Sequence, residues 1–149
     1  MIYKAIISLC LLLIATSCLS SNVNLSSPLP KNAVKLKHGL LTSSSSINSE
    51  AYTVYENGIK YVISVDKNKE INYISTMDKN FMSPEGIRVG NSLQQVLNVA
   101  DSKNINKEFG WAFFVKLPSG WSVAFTQGKT VTEGKLKNIA EVKWLFKRK

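Results

Sequence analysis

The sequence predicts an α+β fold: a mostly antiparallel sheet in the order β-β-β-α-β-β-β, with one short helix packed on it. Three observations predict it. Asn57-Gly58 sits between two runs rich in β-branched and aromatic residues. Ser92 and Gln95 open a short stretch with helical apolar spacing, and the segments after it alternate large apolar side chains along short strands.

The first run, AYTVYE at 51–56, ends on Asn57-Gly58. That dipeptide is the strongest short hairpin signal, because both turn positions accept positive φ. The return run at 59–65 puts Ile59, Tyr61, Ile63 and Val65 on one face. A second turn, Asp66-Lys67-Asn68-Lys69, leads to 70–76 and completes a three-strand meander. The connector at 77–86 closes on Ser83-Pro84-Glu85-Gly86, a breaker.

Ser92 with Gln95 fits a capping box, in which the Ser side chain meets the backbone at N3 and the Gln reaches back. Leu93, Val96, Leu97 and Ala100 fall on one helical face, so one short helix covers the sheet. After a polar loop at 102–108, WAFFVKL at 111–117 alternates Trp111, Phe113, Val115 and Leu117 on one side. Pro118-Ser119-Gly120 turns the chain, and 121–126 returns with Trp121, Val123 and Phe125 aligned. A Gly- and Lys-bearing loop at 127–138 precedes a last strand at 141–146, with Val142, Trp144 and Phe146 on one face. The opposite face of the same strands carries Phe114 and Leu145 and is the candidate surface if the helix covers the Trp side; one of the two faces is wet unless the N-terminal segment covers it.

The length of 149 residues allows one domain. Its expected organisation is a signal peptide at 1–17, a lipidated N-terminus and flexible tether at 18–50, and a globular domain at 51–149. Lys4 and the amino terminus supply positive charge ahead of an almost wholly apolar run from 5 to 15. That run is too short to span a bilayer core of about 30 Å as a helix, so it reads as a cleavable export signal. The 18–50 stretch is mostly Ser, Asn, Pro and Lys, including Ser43 to Ser46, a composition poor in apolar surface. Within it, Val34, Leu36, Leu40 and Leu41 have the makings of a short strand or docking segment.

Ala15-Thr16-Ser17-Cys18 resembles the lipobox of bacterial lipoproteins, with Ala15 where Leu is usual. The resemblance implies attachment of diacylglycerol to the Cys18 thiol, palmitate-type acylation, and cleavage that makes Cys18 the mature amino terminus. Two or three acyl chains anchor stably where one is marginal. Leu19, rather than Asp, follows the cysteine; by the same resemblance this implies the periplasmic side of the outer membrane if the source is Gram-negative. Cys10 falls in the removed run, which leaves no disulfide and no cysteine metal site. The stretch Gly-Ile-Arg-Val-Gly-Asn-Ser at 86–92, followed by helix and strands, is similar to small periplasmic lipoproteins of the BamE type. That fold also occurs in a secreted β-lactamase inhibitor. This sequence adds a meander in front and lacks a clear second helix.

The formal charge is +9, and all cations but Arg88 and Arg148 are Lys. Phosphate and base-edge recognition favours Arg, so a Lys-rich surface reads as general attraction to anions, and export argues against nucleic acid. No nucleophile elbow, P-loop, dinucleotide fingerprint or metal-ligand cluster is present. The single histidine, His38, lies in the expected tether; Asp66 and Asp78 lie at turns, and Glu50, Glu56, Glu70, Glu85 and Glu141 at element ends. The expectation is no catalytic residue, no cofactor and no metal. The candidate binding surface is Trp111, Phe114, Trp121 and Trp144 with the basic end Lys143, Lys147, Arg148 and Lys149. The sequence therefore points to an anchored envelope binding module for a protein or an anionic envelope polymer. The alternative is an inhibitor or immunity protein against a lytic enzyme or toxin.

Overall fold

The computed structural model describes residues 23–101 and 103–149; the expected signal at 1–17 and Cys18 lie outside them. In chain order the N-terminal strands are β1 (Val34–Lys35), β2 (Leu40–Ser43), β3 (Ser46–Asn48), β4 (Ala51–Glu56), β5 (Ile59–Val65) and β6 (Ile71–Thr76). Helix α1 (Leu93–Val99) follows, then β7 (Asn106–Glu108), β8 (Ala112–Lys116), β9 (Ser122–Phe125) and β10 (Trp144–Arg148). Eight strands form one sheet in the order β1-β4-β5-β6-β10-β9-β8-β7, antiparallel throughout; β2 and β3 form a separate hairpin. The mostly antiparallel α+β architecture stands, with more strands than the seven-element order allowed.

Local chemistry explains the elements that sequence located. Asn57 and Gly58 take φ of 51° and 76°, the paired positive values of a tight hairpin turn. Asp66 turns the chain into β6, its carboxylate accepting from the backbone N–H groups of Asn68 and Glu70. The Ser92 hydroxyl accepts from Gln95 N while the Gln95 side chain accepts from Ser92 N, a complete capping box. Such a cap stabilises a helix by about 1 kcal/mol, which matters for one of two turns. Leu93 and Val96 are buried, with Leu97 and Ala100 packed against the same core.

That core lies on the helix face of the sheet. It joins Val54, Ile63, Ile74, Phe113, Val115, Trp121, Val123, Phe125 and Leu145 with the helix residues. The meander pattern of Tyr61, Ile63 and Val65 faces it. Pairing of β6 with β10, in register Phe146 with Ser75 and Arg148 with Tyr73, fuses the two halves into one sheet.

The N-terminal segment corrects the expected boundaries. Residues 23–50 are built into the fold, not a free tether. Val23 is buried in the helix-face core, and Leu25, Leu29 and Ala33 pack beside it. Backbone bonds between Ser26 N and Ile71 O, and between Ile71 N and Ser27 O, fasten the segment along β6. Val34 and Lys35 pair with β4, and Leu40 packs on the opposite sheet face. The stretch folds because Val23, Leu25, Leu29, Ala33 and Leu40 meet prepared surfaces, while Val34 and Ile47 stay exposed; composition averaged over the window does not show that.

The strand phases also need two corrections. Trp111 does not share a face with Phe113 and Val115: it closes a turn, its N–H donating to Glu108 O, with Gly110 at φ 72°. The ring consequently joins Phe114 on the far face. Val142 lies in the helix-face core, whereas Trp144 and Phe146 belong to the far face. Val142 bonds Gly90 and Asn91, ahead of the helix, and only from Trp144 does the chain run as a sheet strand. The expected polar loop at 102–108 contains β7, an edge strand.

Candidate functional site

The far face of the sheet holds an aromatic cluster. Tyr73, Trp111, Phe114 and Phe146 are buried there with Ala112 and Ala124, and Trp144 and Leu40 flank them. Alternation in β6, β8, β9 and β10 puts Tyr73, Ala112, Phe114, Ala124, Trp144 and Phe146 on one side, and the turn at Gly110 adds the Trp111 ring. Trp111 meets Phe146, Trp144 and Phe114 edge-on, with ring centres 5.1, 5.8 and 6.1 Å apart. Phe146 stacks near-parallel on Tyr73 at 6.0 Å. Burial pushes the Tyr73 hydroxyl up to about 12, with neighbouring Ser75 and Trp144 acting in the opposite direction, so it stays neutral.

Arg148 spans this cluster. Its guanidinium lies 5.1 Å from the Trp111 ring centre, 5.2 Å from Phe114 and 5.5 Å from Phe146. It also forms a two-pronged pair with Glu108, and that guanidinium holds the Glu108 carboxyl below its usual range. The β2–β3 hairpin lies across this assembly. Trp111 Nε1 donates to Leu41 O at 3.3 Å, Arg148 Nη1 to Thr42 O at 3.4 Å, and Ser44 N to Glu108 Oε2 at 3.3 Å. The N-terminal segment thus covers this face in part; Phe114 lies on it, whereas Leu145, expected beside Phe114, lies in the helix-face core because it alternates with Trp144 and Phe146.

Two hollows flank the hairpin. One, of about 490 Å³, is polar and lined by Ser43 to Ser46, Asn72, Arg148 and Lys149. The other, of about 660 Å³, is largely apolar: Leu40 and Leu41 lie on the hairpin side, Val62, Tyr73 and Trp144 on the sheet, and Met77 at the rim. Met77 is 70% exposed and Leu41 is 42% exposed, so the groove is open to solvent. Lys60 and Asp78 also line it, as do Ser75, Thr76, Trp111 and Thr126.

Of the residues singled out from sequence, Trp111, Phe114, Trp144 and Arg148 converge on this site. Trp121 does not. It lies in the helix-face core against Phe81, with Lys147 over its ring at 5.2 Å. Lys143 is exposed and pairs with Glu141 at 3.8 Å. Lys149 reaches Glu70 and Asp66 at 3.3 and 3.7 Å, beside the polar hollow. Cys18 lies outside the described residues. Sequence reasoning missed Lys60, Val62 and Met77; the available signal was Val62, apolar on the otherwise polar side of β5.

Among the described residues, no group of three or more His, Cys, Asp or Glu side chains is placed to hold a metal. No helix among them is long and apolar enough to cross a membrane. His38 is exposed, and Asp66 and Asp78 act as turn residues, each accepting backbone N–H bonds that keep its carboxyl below the usual range. No protein-family model, no curated protein and no solved structure matches the chain.

Proposed function

We propose that this chain is a membrane-anchored bacterial envelope lipoprotein whose α+β domain is a non-catalytic binding module for an envelope protein or an anionic envelope component. The observation that carries the reading is the open groove floored by Val62, Tyr73 and Trp144 and flanked by the hairpin. Binding pockets are commonly concave, mostly apolar and supplied with a few fixed polar groups, and this groove has that character. The address rests on Ala15-Thr16-Ser17-Cys18 and its resemblance to a lipobox. The BamE-like start at 86–92 supports the same compartment. Acylation at Cys18 holds the module at the membrane, on the periplasmic side of the outer membrane in a Gram-negative cell. The net charge of +9 favours anionic partners.

Mass spectrometry of the mature amino terminus, combined with crosslinking of the anchored chain in its native envelope, tests the reading. The expected result is an acylated Cys18 and a specific crosslinked partner lost on Trp144→Asp. An unmodified terminus upstream of Cys18 overturns the address. Turnover of an envelope substrate, abolished by changing one carboxylate, overturns the non-catalytic assignment.

A further inference from the structure

We infer that the apolar groove beside the β2–β3 hairpin binds a single long acyl chain with an anionic head, a fatty carboxylate being the simplest member of that class. The inference rests on the binding-module reading and names the ligand of the same site. Its volume of about 660 Å³ falls within the range of about 300–1,000 Å³ common for small-molecule pockets. The lining is aliphatic and aromatic, from Leu40, Leu41, Val62, Met77, Trp111 and Trp144.

The polar atoms of the lining decide between a hydrocarbon and a peptide. Ser75 donates to Val62 O, Thr76 to Lys60 O, and Trp111 Nε1 to Leu41 O. No buried side-chain nitrogen or oxygen among the described residues lacks a hydrogen-bond partner. Asp78 accepts from the backbone N–H groups of Lys60 and Asn80. These groups are already satisfied within the protein. A peptide entering the groove would find few partners for its backbone, and each amide left buried without one costs about 1–3 kcal/mol. A hydrocarbon chain needs no partners.

The head is set by charge. Lys60 lies at the groove and makes no ion pair among the described residues. Its ammonium complements a carboxylate at the groove end, and the net charge of +9 draws anions to it. Asp78 also lines the groove and keeps its charge, which the two backbone N–H groups it accepts from offset in part; Lys60 is the cation of the lining.

The test uses the full chain carrying Cys18→Ser, which blocks acylation, titrated with dibrominated stearate and with oleate. Bromine quenches indole fluorescence on contact, so Trp111 and Trp144 in the groove report occupancy. The expected result is saturable, one-to-one quenching, displaced by oleate and lost when Trp111 and Trp144 are both changed to Phe. Trp121, on the opposite face, remains as an internal control. Lys60→Glu should weaken oleate about tenfold, which is about 1.4 kcal/mol, while monoolein, lacking the charge, should be unaffected by that change. Met77→Asp, at a site exposed enough to keep the fold, should weaken both ligands.

Absence of saturable quenching overturns the inference. So does quenching unchanged by Met77→Asp, or binding seen only on anionic vesicles and never with monomeric oleate. A chain that crosslinks to a specific envelope protein yet ignores oleate would end this inference and leave the binding module standing. Oleate binding by a chain whose mature terminus is unmodified would do the reverse to the lipoprotein reading.

Discussion

The two faces of the sheet are covered by different means. On the helix face, α1 and residues 23–33 lay apolar side chains on the strands, so that Leu93, Val96, Phe125 and Leu145 are fully buried. On the hairpin face, an aromatic cluster is bridged by Arg148, and the cover touches it through Leu40 and a few hydrogen bonds to Leu41, Thr42 and Ser44. Apolar burial stabilises by area, at about 25 cal/mol per Å², whereas an ordinary hydrogen bond contributes a net of about 0.5–1.5 kcal/mol. The helix-side cover therefore contributes more stability than the hairpin cover, which should open at lower cost than global unfolding. A binding surface belongs on the second.

Substitution at each face should separate them. Phe125→Ala removes a ring from the fully buried side and should destabilise by about 3–5 kcal/mol, read from urea unfolding as one cooperative transition. Arg148→Met leaves the partly buried Glu108 without its cation and the Thr42 carbonyl without its donor. A global loss of about 1–3 kcal/mol is expected, with amide exchange in 40–48 accelerated well before that of β5 or β9. Uniform acceleration across the sheet would show that the two faces open together. Trp111→Phe keeps most of the packing and deletes only the bond to Leu41 O. Its expected cost is about 1 kcal/mol, again confined to exchange in the hairpin.

The same contrast explains what sequence could locate. The β4–β5 turn and the helix start depend on neighbours within a few residues, Asn57 with Gly58 and Ser92 with Gln95, so their chemistry is legible locally. The N-terminal segment depends on surfaces made far away: Val23 on the helix-face core, and Leu41 on the Trp111 indole seventy positions on. Scattered apolar residues in a Ser- and Asn-rich window look like a leash until those surfaces exist. β7 was illegible because an edge strand of Asn, Lys and Glu needs no apolar face. For the site, aromatic and basic character identified Trp111, Phe114, Trp144 and Arg148. Lys60, Val62 and Met77 come from segments that only the β5–β6–β10 order brings beside them. Trp121 was grouped with the other tryptophans because residue type carries no information about face.

Acid should give the smallest and most graded effect. Glu50, at the start of β4, accepts from Lys35 of β1, from Lys69 in the β5–β6 turn, and from the Tyr52 hydroxyl. Those three donors, Lys35 foremost, hold its carboxyl down to about 2. Arg148 depresses Glu108 in the same direction. A carboxyl whose folded value lies below its unfolded one contributes stability that is present above the unfolded value and lost as pH falls toward the folded one. Stability should accordingly decline from about pH 4.5 toward pH 2. Salt separates the two contributions. The Glu50 pairs are the more exposed, through Lys35 and Lys69, and are screened more strongly than the partly buried Glu108 and Arg148. At high ionic strength the part of the decline that survives should belong to Glu108, and exchange in the hairpin should follow it while exchange at β1 does not. An acid profile in which salt abolishes the hairpin effect as readily as the β1 effect would mean that Arg148 and Glu108 behave as a surface pair, and that the cover is held by Leu40 and Trp111 alone.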